Sequence, residues 1–270
     1  MTIFLQRTAR FQAGIEGRLC PKLRGGHTYV CTATVGGTID PSTGIVVNIK
    51  DIDQLMKHCV VSDFDGALLD RDLPAFQAKP PTLENIVREI WSRLAAEMPD
   101  GTRLEEVTAA SSPIVQASIT RKHRESTMLT TTRTYDFSAS HRLHSKALTA
   151  DENQTLFGKC NWENGHGHNY EVEVTLAGDP DTSSDELVQA DILDDIVDRQ
   201  VLTPYDHKHL NYDTADFKDL NPTSENLTKV IWDNLAPSIN AIDPGRLHLY
   251  RVAVRETPRN YFEYYGPAAV

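Results

Sequence analysis

Residues 168–178, HNYEVEVTLAG, alternate apolar with polar side chains, the period-two pattern of a strand with one buried face. The stretch 27–37, HTYVCTATVGG, carries the same alternation. Segments 3–11 (IFLQRTARF) and 129–141 (LTTTRTYDFSASH) are rich in Thr and in β-branched or aromatic residues, so they also predict strands. A different period governs 222–236, PTSENLTKVIWDNLA. Proline, a Thr/Ser cap and an acid in the first turn open a helix, and Leu227, Val230, Ile231 and Leu235 recur at helical spacing. Near the end, 247–257 reads as a strand and 261–266 as a shorter one. The order is ββααββ with two helical stretches, an antiparallel sheet with its helices grouped together. The class is α+β.

That order occurs twice. A shift of 141 residues puts His27 and Tyr29 on His168 and Tyr170, and Asp65, Leu69, Asp72 and Phe76 on Asp206, Leu210, Asp213 and Phe217. The block 81–95, PTLENIVREIWSRLA, then falls on 222–236. A series of matches at one constant offset marks a tandem duplication. We divide the sequence into a unit over 1–118 and a unit over 128–270. Between them lies 108–127, rich in Ser, Thr and Ala, which suits a linker or a closing strand followed by a linker.

Composition narrows the function. Of 270 residues, 40% are hydrophobic and 24% charged, enough to build a core and too apolar for wholesale disorder. No run approaches the roughly 20 apolar residues of a membrane span. The first residues lack a charged stretch leading into an apolar one, so the protein is expected to be cytoplasmic. A net charge of −11 argues against nucleic acid as a partner, and an anionic substrate would need a local basic pocket. Cys20, Cys31, Cys59 and Cys160 are irregularly spaced and read as reduced thiols. Six of the ten histidines, His141, His144, His166, His168, His207 and His209, fall in one 69-residue window.

Within that window, His166 and His168 lie two apart in a predicted strand and project side by side, a workable bite for a divalent metal. His141, ending another strand, supplies a third nitrogen if the strands pair. Three histidines with an open position suit a catalytic metal more than a closed structural one. Cys160 precedes a polar loop, Asn161–Gly165, and near a cation its thiol would ionise more readily and could act as a base. Asp206 and His207 are adjacent and could relay a proton. Glu256, at the end of an apolar strand, could accept two parallel N–H bonds from a guanidine-like ring edge.

The motifs FSASHRL (137–143), FGKCNWENGHGHNYEVEVT (157–175), YDHKHLN (205–211), PTSEN (222–226) and RVAVRET (251–257) together closely resemble the 6-pyruvoyl-tetrahydropterin synthase family, in family order, over about residues 130–266. The resemblance implies tandem T-fold units and a lyase that turns 7,8-dihydroneopterin triphosphate into 6-pyruvoyl-tetrahydropterin. It implies zinc on His141, His166 and His168, proton transfer by Cys160, Asp206 and His207, and a pterin anchor at Glu256. Thr223 and Glu225 fall where the family's motif lines the pterin pocket, and equally where a helix needs caps. Arg142, Lys146, Lys159 and Lys208 are candidates for the triphosphate. The sequence has no Gly-rich dinucleotide fingerprint, in keeping with a redox-neutral rearrangement.

The first half departs from the motifs. Gly25 stands at the position of His166, Ile15 at that of His141 and Gly66 at that of His207. Cys20 is one place out of register with Cys160, and the counterpart of Glu256 falls in ASSP (110–113). We therefore expect a non-catalytic first unit and a homo-oligomer, a trimer of two-unit chains by unit counting. Two other readings carry different expectations. A 6-carboxytetrahydropterin synthase would use the same substrate, although its motif places three residues between Cys and HGH where five stand here. A pterin-binding scaffold would not turn over at all.

Overall fold

The computed structural model describes residues 2–16, 26–122 and 126–267, and Cys20 and Gly25 lie outside them. Two compact units emerge, Met1–Thr132 with Ala177–Leu187, and Arg133–Leu176 with Val188–Val270. No helix among the described residues is long and apolar enough to cross a membrane.

In the first unit, β1 (Thr2–Ala13) pairs antiparallel with β2 (His27–Thr38), which pairs with β3 (Thr102–Ser112), followed by β4 (Val115–Arg121). The segment 108–127 is thus largely a β-hairpin rather than a linker, with 123–125 outside the described residues. Helix Ile49–Met56 runs on through a π turn, Lys57–Val61, and a second helix covers Leu83–Ala96. The alternation read from 27–37 has its physical counterpart in Tyr29, Cys31, Ala33 and Val35, all buried against the helices. Phe11 stacks on Tyr29 with centroids 5.0 Å apart and meets Phe64 edge-on at 5.2 Å.

The second unit repeats this plan. Its strands follow the order β5 (Thr127–His141, of which residues from 133 on belong here), β6 (His166–Gly178), β8 (Leu247–Thr257) and β9 (Asn260–Tyr264). The two-residue strand β7 (Lys208–His209) lies parallel beside β5. Helices Ala190–Val197, again continuing into a π turn (Asp198–Leu202), and Ser224–Asn240 cover one face. Phe137 stacks on Tyr170 at 5.2 Å and meets Tyr205, which packs on Phe217. These rings occupy the positions of Phe11, Tyr29, Phe64 and Phe76, so the aromatic core is duplicated along with the backbone. The additional helix Ala150–Phe157, closed by a capping box at Thr149 and Glu152, has no counterpart in the first unit among the described residues. It delivers the segment that carries Cys160.

Candidate active site

Strand alternation decides which side chains meet. On β5, Phe137, Ala139 and His141 point to the buried face; on β6, His166, His168, Tyr170 and Val172 do. The three histidines converge at the end of this face, with ring centroids 4.6, 4.8 and 5.2 Å apart. Each offers one ring nitrogen within 4.8 Å of the other two, and His141 Nε2 is 3.2 Å from His166 Nε2. Two imidazole nitrogens on a tetrahedral zinc stand about 3.3 Å apart, given Zn–N bonds of about 2.0–2.1 Å.

The donor chemistry fits a metal as well as the spacing does. His141 Nδ1 donates to the carbonyl oxygen of Pro222 at 2.7 Å, which turns the lone pair of Nε2 toward the cluster. His168 Nε2 is buried without a hydrogen-bond partner. An orphaned buried nitrogen is costly unless something electrophilic occupies the space it faces. Burial also holds the imidazole of His141 down at about 4, despite its bond to Pro222, and lowers that of His166. Neutral, unprotonated imidazoles are the form that binds a metal.

Glu256, at the end of β8, faces the same cluster. Its Oε1 is 3.8 Å from both His141 Nε2 and His168 Nε2 and accepts from Ser224 Oγ at 2.8 Å, while Oε2 accepts from Asn260 Nδ2 at 2.9 Å. Burial opposes its charge, yet these two bonds and the nearby histidines outweigh burial and hold the carboxyl below its usual range. Ser224 and Asn260 escape a reading of the sequence; nothing in PTSEN separates a buried hydroxyl that steadies a carboxylate from a first-turn residue of a helix.

Cys160 sits half-buried in a short 3-10 turn, Gly158–Asn161, close enough to Glu256 to feel its charge. The turn is tied down by Leu143 N donating to Cys160 O, Arg142 Nε to Asn161 O, and the His144 Nδ1 contact with Asn161 Oδ1. Burial and the charge of Glu256 push its thiol up. The protein's own groups therefore supply none of the lowering that a neighbouring cation would. The loop then returns through Gly165, where a Cβ would lie 2.7 Å from both His141 O and His209 Nε2 at a φ of +68°, so only glycine fits.

Asp206 and His207 lie elsewhere. Asp206 Oδ1 accepts from Ser138 N at 2.9 Å and its Oδ2 pairs with His207 Nδ1 at 2.8 Å; these bonds, that from Ser138 first, hold the carboxyl low. His207 is exposed and lines an open cavity of about 540 Å³ with Ser138, Ser140, Asn169 and Lys208. Those residues alternate with the buried-face ones, so this cavity opens mainly on the opposite face of the strands from the histidine cluster, although His168 borders it too. Within one unit the pair is not gathered with Cys160. His207 also holds a left-handed backbone, φ 56°, where its counterpart Gly66 has φ 79°. An imidazole is thus kept at a position that glycine would occupy more cheaply.

Thr223 caps helix Ser224–Asn240, accepting from Asn226 N, as Thr82 does from Asn85 N in the first unit. Glu225 is exposed and has no hydrogen-bond partner among the described residues. Of the basic candidates, Lys208 borders the first cavity. Arg142 and Lys146 line a second, of about 400 Å³, where Lys146 pairs with Asp219. Lys159 lies in the Cys160 turn. In the first unit, His27 is exposed and Ile15 takes the place of His141. Among the described residues, the histidine trio of the second unit is the one group of three or more arranged to hold a metal.

Comparison with known proteins agrees with the motifs. The profile of the family described as 6-pyruvoyl tetrahydropterin synthase matches residues 11–122 and again 130–267. The 6-pyruvoyl tetrahydrobiopterin synthase of Homo sapiens is 43% identical over 134 residues, 50% of this chain and 89% of that protein. The one from Poecilia reticulata is 41% identical over 135 residues, 50% and 88%. The solved Caenorhabditis elegans 6-pyruvoyl tetrahydropterin synthase shares 39% identity over 52% of this chain and 96% of its own, with a TM-score of 0.48. Two consecutive profile matches, spanning nearly all of the sequence, establish that the chain belongs to the 6-pyruvoyl tetrahydropterin synthase family of lyases.

Proposed function

We propose that this protein is a zinc-dependent lyase that converts 7,8-dihydroneopterin triphosphate into 6-pyruvoyl-tetrahydropterin with release of triphosphate. The observation that carries this reading is the convergence of His141, His166 and His168 nitrogens within 4.8 Å, beside a carboxylate held ionised and a thiol. Three imidazoles with an open position suit zinc, which when bound would polarise the hydroxyl oxygens of the substrate's tail. Glu256 anchors the pterin by accepting two parallel N–H bonds from its guanidine-like edge. Those bonds also spread the charge that raises the Cys160 thiol, so pterin binding favours the thiolate that takes a proton from a carbon of the tail. Asp206 holds His207 through Nδ1 and leaves Nε2 free to carry the second proton.

The balance closes without an external oxidant. Triphosphate leaves with the electrons of its C–O bond as a proton is removed from the neighbouring carbon, and the resulting enol tautomerises to a methyl ketone. The two hydrogens lost as the remaining hydroxyl becomes a ketone are taken up by the C=N bond of the ring. The first unit, with Ile15 and Gly25 at the positions of two ligands, is non-catalytic on this reading. The protein works as a homo-oligomer, in which the His207 of one copy can face the metal cluster of another. Product analysis with dihydroneopterin triphosphate tests the assignment. Release of triphosphate with the pyruvoyl product, and about one zinc per protomer, are expected. Acetaldehyde release would instead identify a 6-carboxytetrahydropterin synthase, and binding without turnover would identify a scaffold.

A further inference from the structure

The cavity of about 400 Å³ on the second unit presents positive charge in a chain whose net charge is −11. Arg142, His144, Lys146 and Lys218 line it, and its one carboxylate is Asp219, which pairs with Lys146. Lys218 has no ion-pair partner among the described residues. Arg142 spends Nε on Asn161 O at 3.0 Å, and its two Nη groups have no partner among the described residues. His144 Nδ1 meets Asn161 Oδ1 at 2.9 Å, which leaves Nε2 unengaged. Cations held around one concavity repel one another unless an anion offsets them, and N–H donors without protein partners suit an anion with several oxygens. The volume lies in the range of small-ligand sites, about 300–1,000 Å³.

The fold does not require this charge. Arg142 N donates to Asn211 Oδ1 at 2.8 Å, and at the equivalent place in the first unit Glu16 N donates to Asp70 Oδ1 at 2.9 Å. The backbone bond is kept while the side chains change sign, Glu16 for Arg142 and Asp70 for Asn211. By the 141-residue offset, Gln77 stands for Lys218 and Pro80 for Asn221. The basic lining therefore belongs with the unit that carries the histidine cluster.

The cavity also grips both ends of the loop between Cys160 and His166. Arg142 and His144 hold Asn161, next to the thiol. At the other end Tyr212, a lining residue, packs on His209 with centroids 4.4 Å apart, and His209 Nε2 lies against Gly165. Yet no lining residue is a histidine of the cluster, Cys160 or Glu256, so the cavity is chemically separate from them.

We propose that this cavity is an oligophosphate site whose occupant clamps the Cys160 turn. An anion of two or three linked phosphates bridges Arg142 and Lys218, with Lys146, His144 and the Asn221 amide as further donors. It thereby fixes the two side chains that hold Asn161. A free oligophosphate and the triphosphate end of a substrate offer the same chemistry to these groups. The proposal does not rest on the lyase reading, because the metal cluster takes no part in it.

Calorimetric titration of the zinc-loaded, full-length protein with inorganic triphosphate tests it. A saturable site is expected, with an affinity that falls as salt is raised. Lys218→Glu should weaken that site at least about thirtyfold, and Lys218→Arg should keep it within about threefold. Lys229→Glu, the same charge change on an exposed residue outside the cavity, should bind like wild type. Anion bound to the zinc alone would bind equally to all of these proteins. Bound triphosphate should also slow alkylation of Cys160, followed by mass spectrometry of its peptide, at least about threefold in wild type and not in Lys218→Glu. The absence of saturable binding below about 10 mM, equal affinities in Lys218→Glu and Lys229→Glu, or alkylation untouched by saturating triphosphate would overturn the proposal. Kinetics assign the source: inhibition competitive with dihydroneopterin triphosphate identifies the seat of the substrate's own chain, and a non-competitive effect identifies a free anion. The binding and alkylation measurements need no turnover, so a protein that binds triphosphate at this cavity without converting dihydroneopterin triphosphate counts against the lyase reading alone.

Discussion

The two units share a scaffold and differ in what the scaffold carries. Asp65 Oδ1 accepts from Gln12 N at 2.8 Å in the first unit, and Asp206 Oδ1 accepts from Ser138 N at 2.9 Å in the second. Asn85 and Asn226 bond equivalent carbonyls, of Pro80 and Asn221, and both units keep a π turn in the same place. Every residue in these pairs satisfies backbone groups that the fold leaves open. Ile15 against His141, and Gly66 against His207, mark the other kind of position. There the second unit tolerates a buried polar cluster or a left-handed imidazole, and the first adopts the cheaper apolar or glycine alternative. On the proposed lyase reading, the demands of folding and of chemistry fall on separable sets of residues.

The sharpest way to break the comparison is to make the second unit resemble the first. His166→Ala should lower metal affinity by at least about a hundredfold and abolish turnover, as measured by metal analysis after dialysis; full metal retention would remove His166 from the ligand set. Cys160→Ala should keep the metal while kcat falls by about 10²–10⁴, the range for a lost acid–base group. Acid titration of the metal-stripped protein should expose the cost of burying His141. The unfolded protein protonates this imidazole near 6.5 and the folded protein only at about 4, so stability is fully present above 6.5 and is lost as the pH falls through that window, by about 3 kcal/mol. Urea unfolding at several pH values checks this, and His141→Asn should flatten the slope. His207→Gly should raise stability by about 1 kcal/mol while lowering turnover, because glycine accepts the φ of 56° without strain. The smallest effect is expected in the first unit, where His27→Ala should leave zinc content unchanged.

Much of this is legible in the sequence. The period-two runs mark β2 and β6, the strand 247–257 matches β8 to the residue, and Thr223 and Thr82 cap the helices their motifs announce. The HxH spacing puts His166 and His168 on one face because alternation is a property of any strand. The region 108–127 is harder, since Ser, Thr and Ala serve a linker and a hairpin equally well, and pairing with β2 decides for the hairpin. Asp206 and His207 can be recognised as a pair but not assigned a face, which depends on how β7 lies beside β5. The left-handed backbone of His207 does leave a signal, the glycine at the same place in the first repeat.

The order of elements, the duplication, the identity of the candidate ligating side chains and the family follow from residue types and spacing, because these express local periodicity and covalent distance. That His141 reaches β6, that Glu256 turns its oxygens toward two imidazoles, and that the thiol is raised in the protein alone were set only by tertiary structure. Each depends on burial and on groups far apart in the sequence, and neither quantity is carried by any one stretch of it.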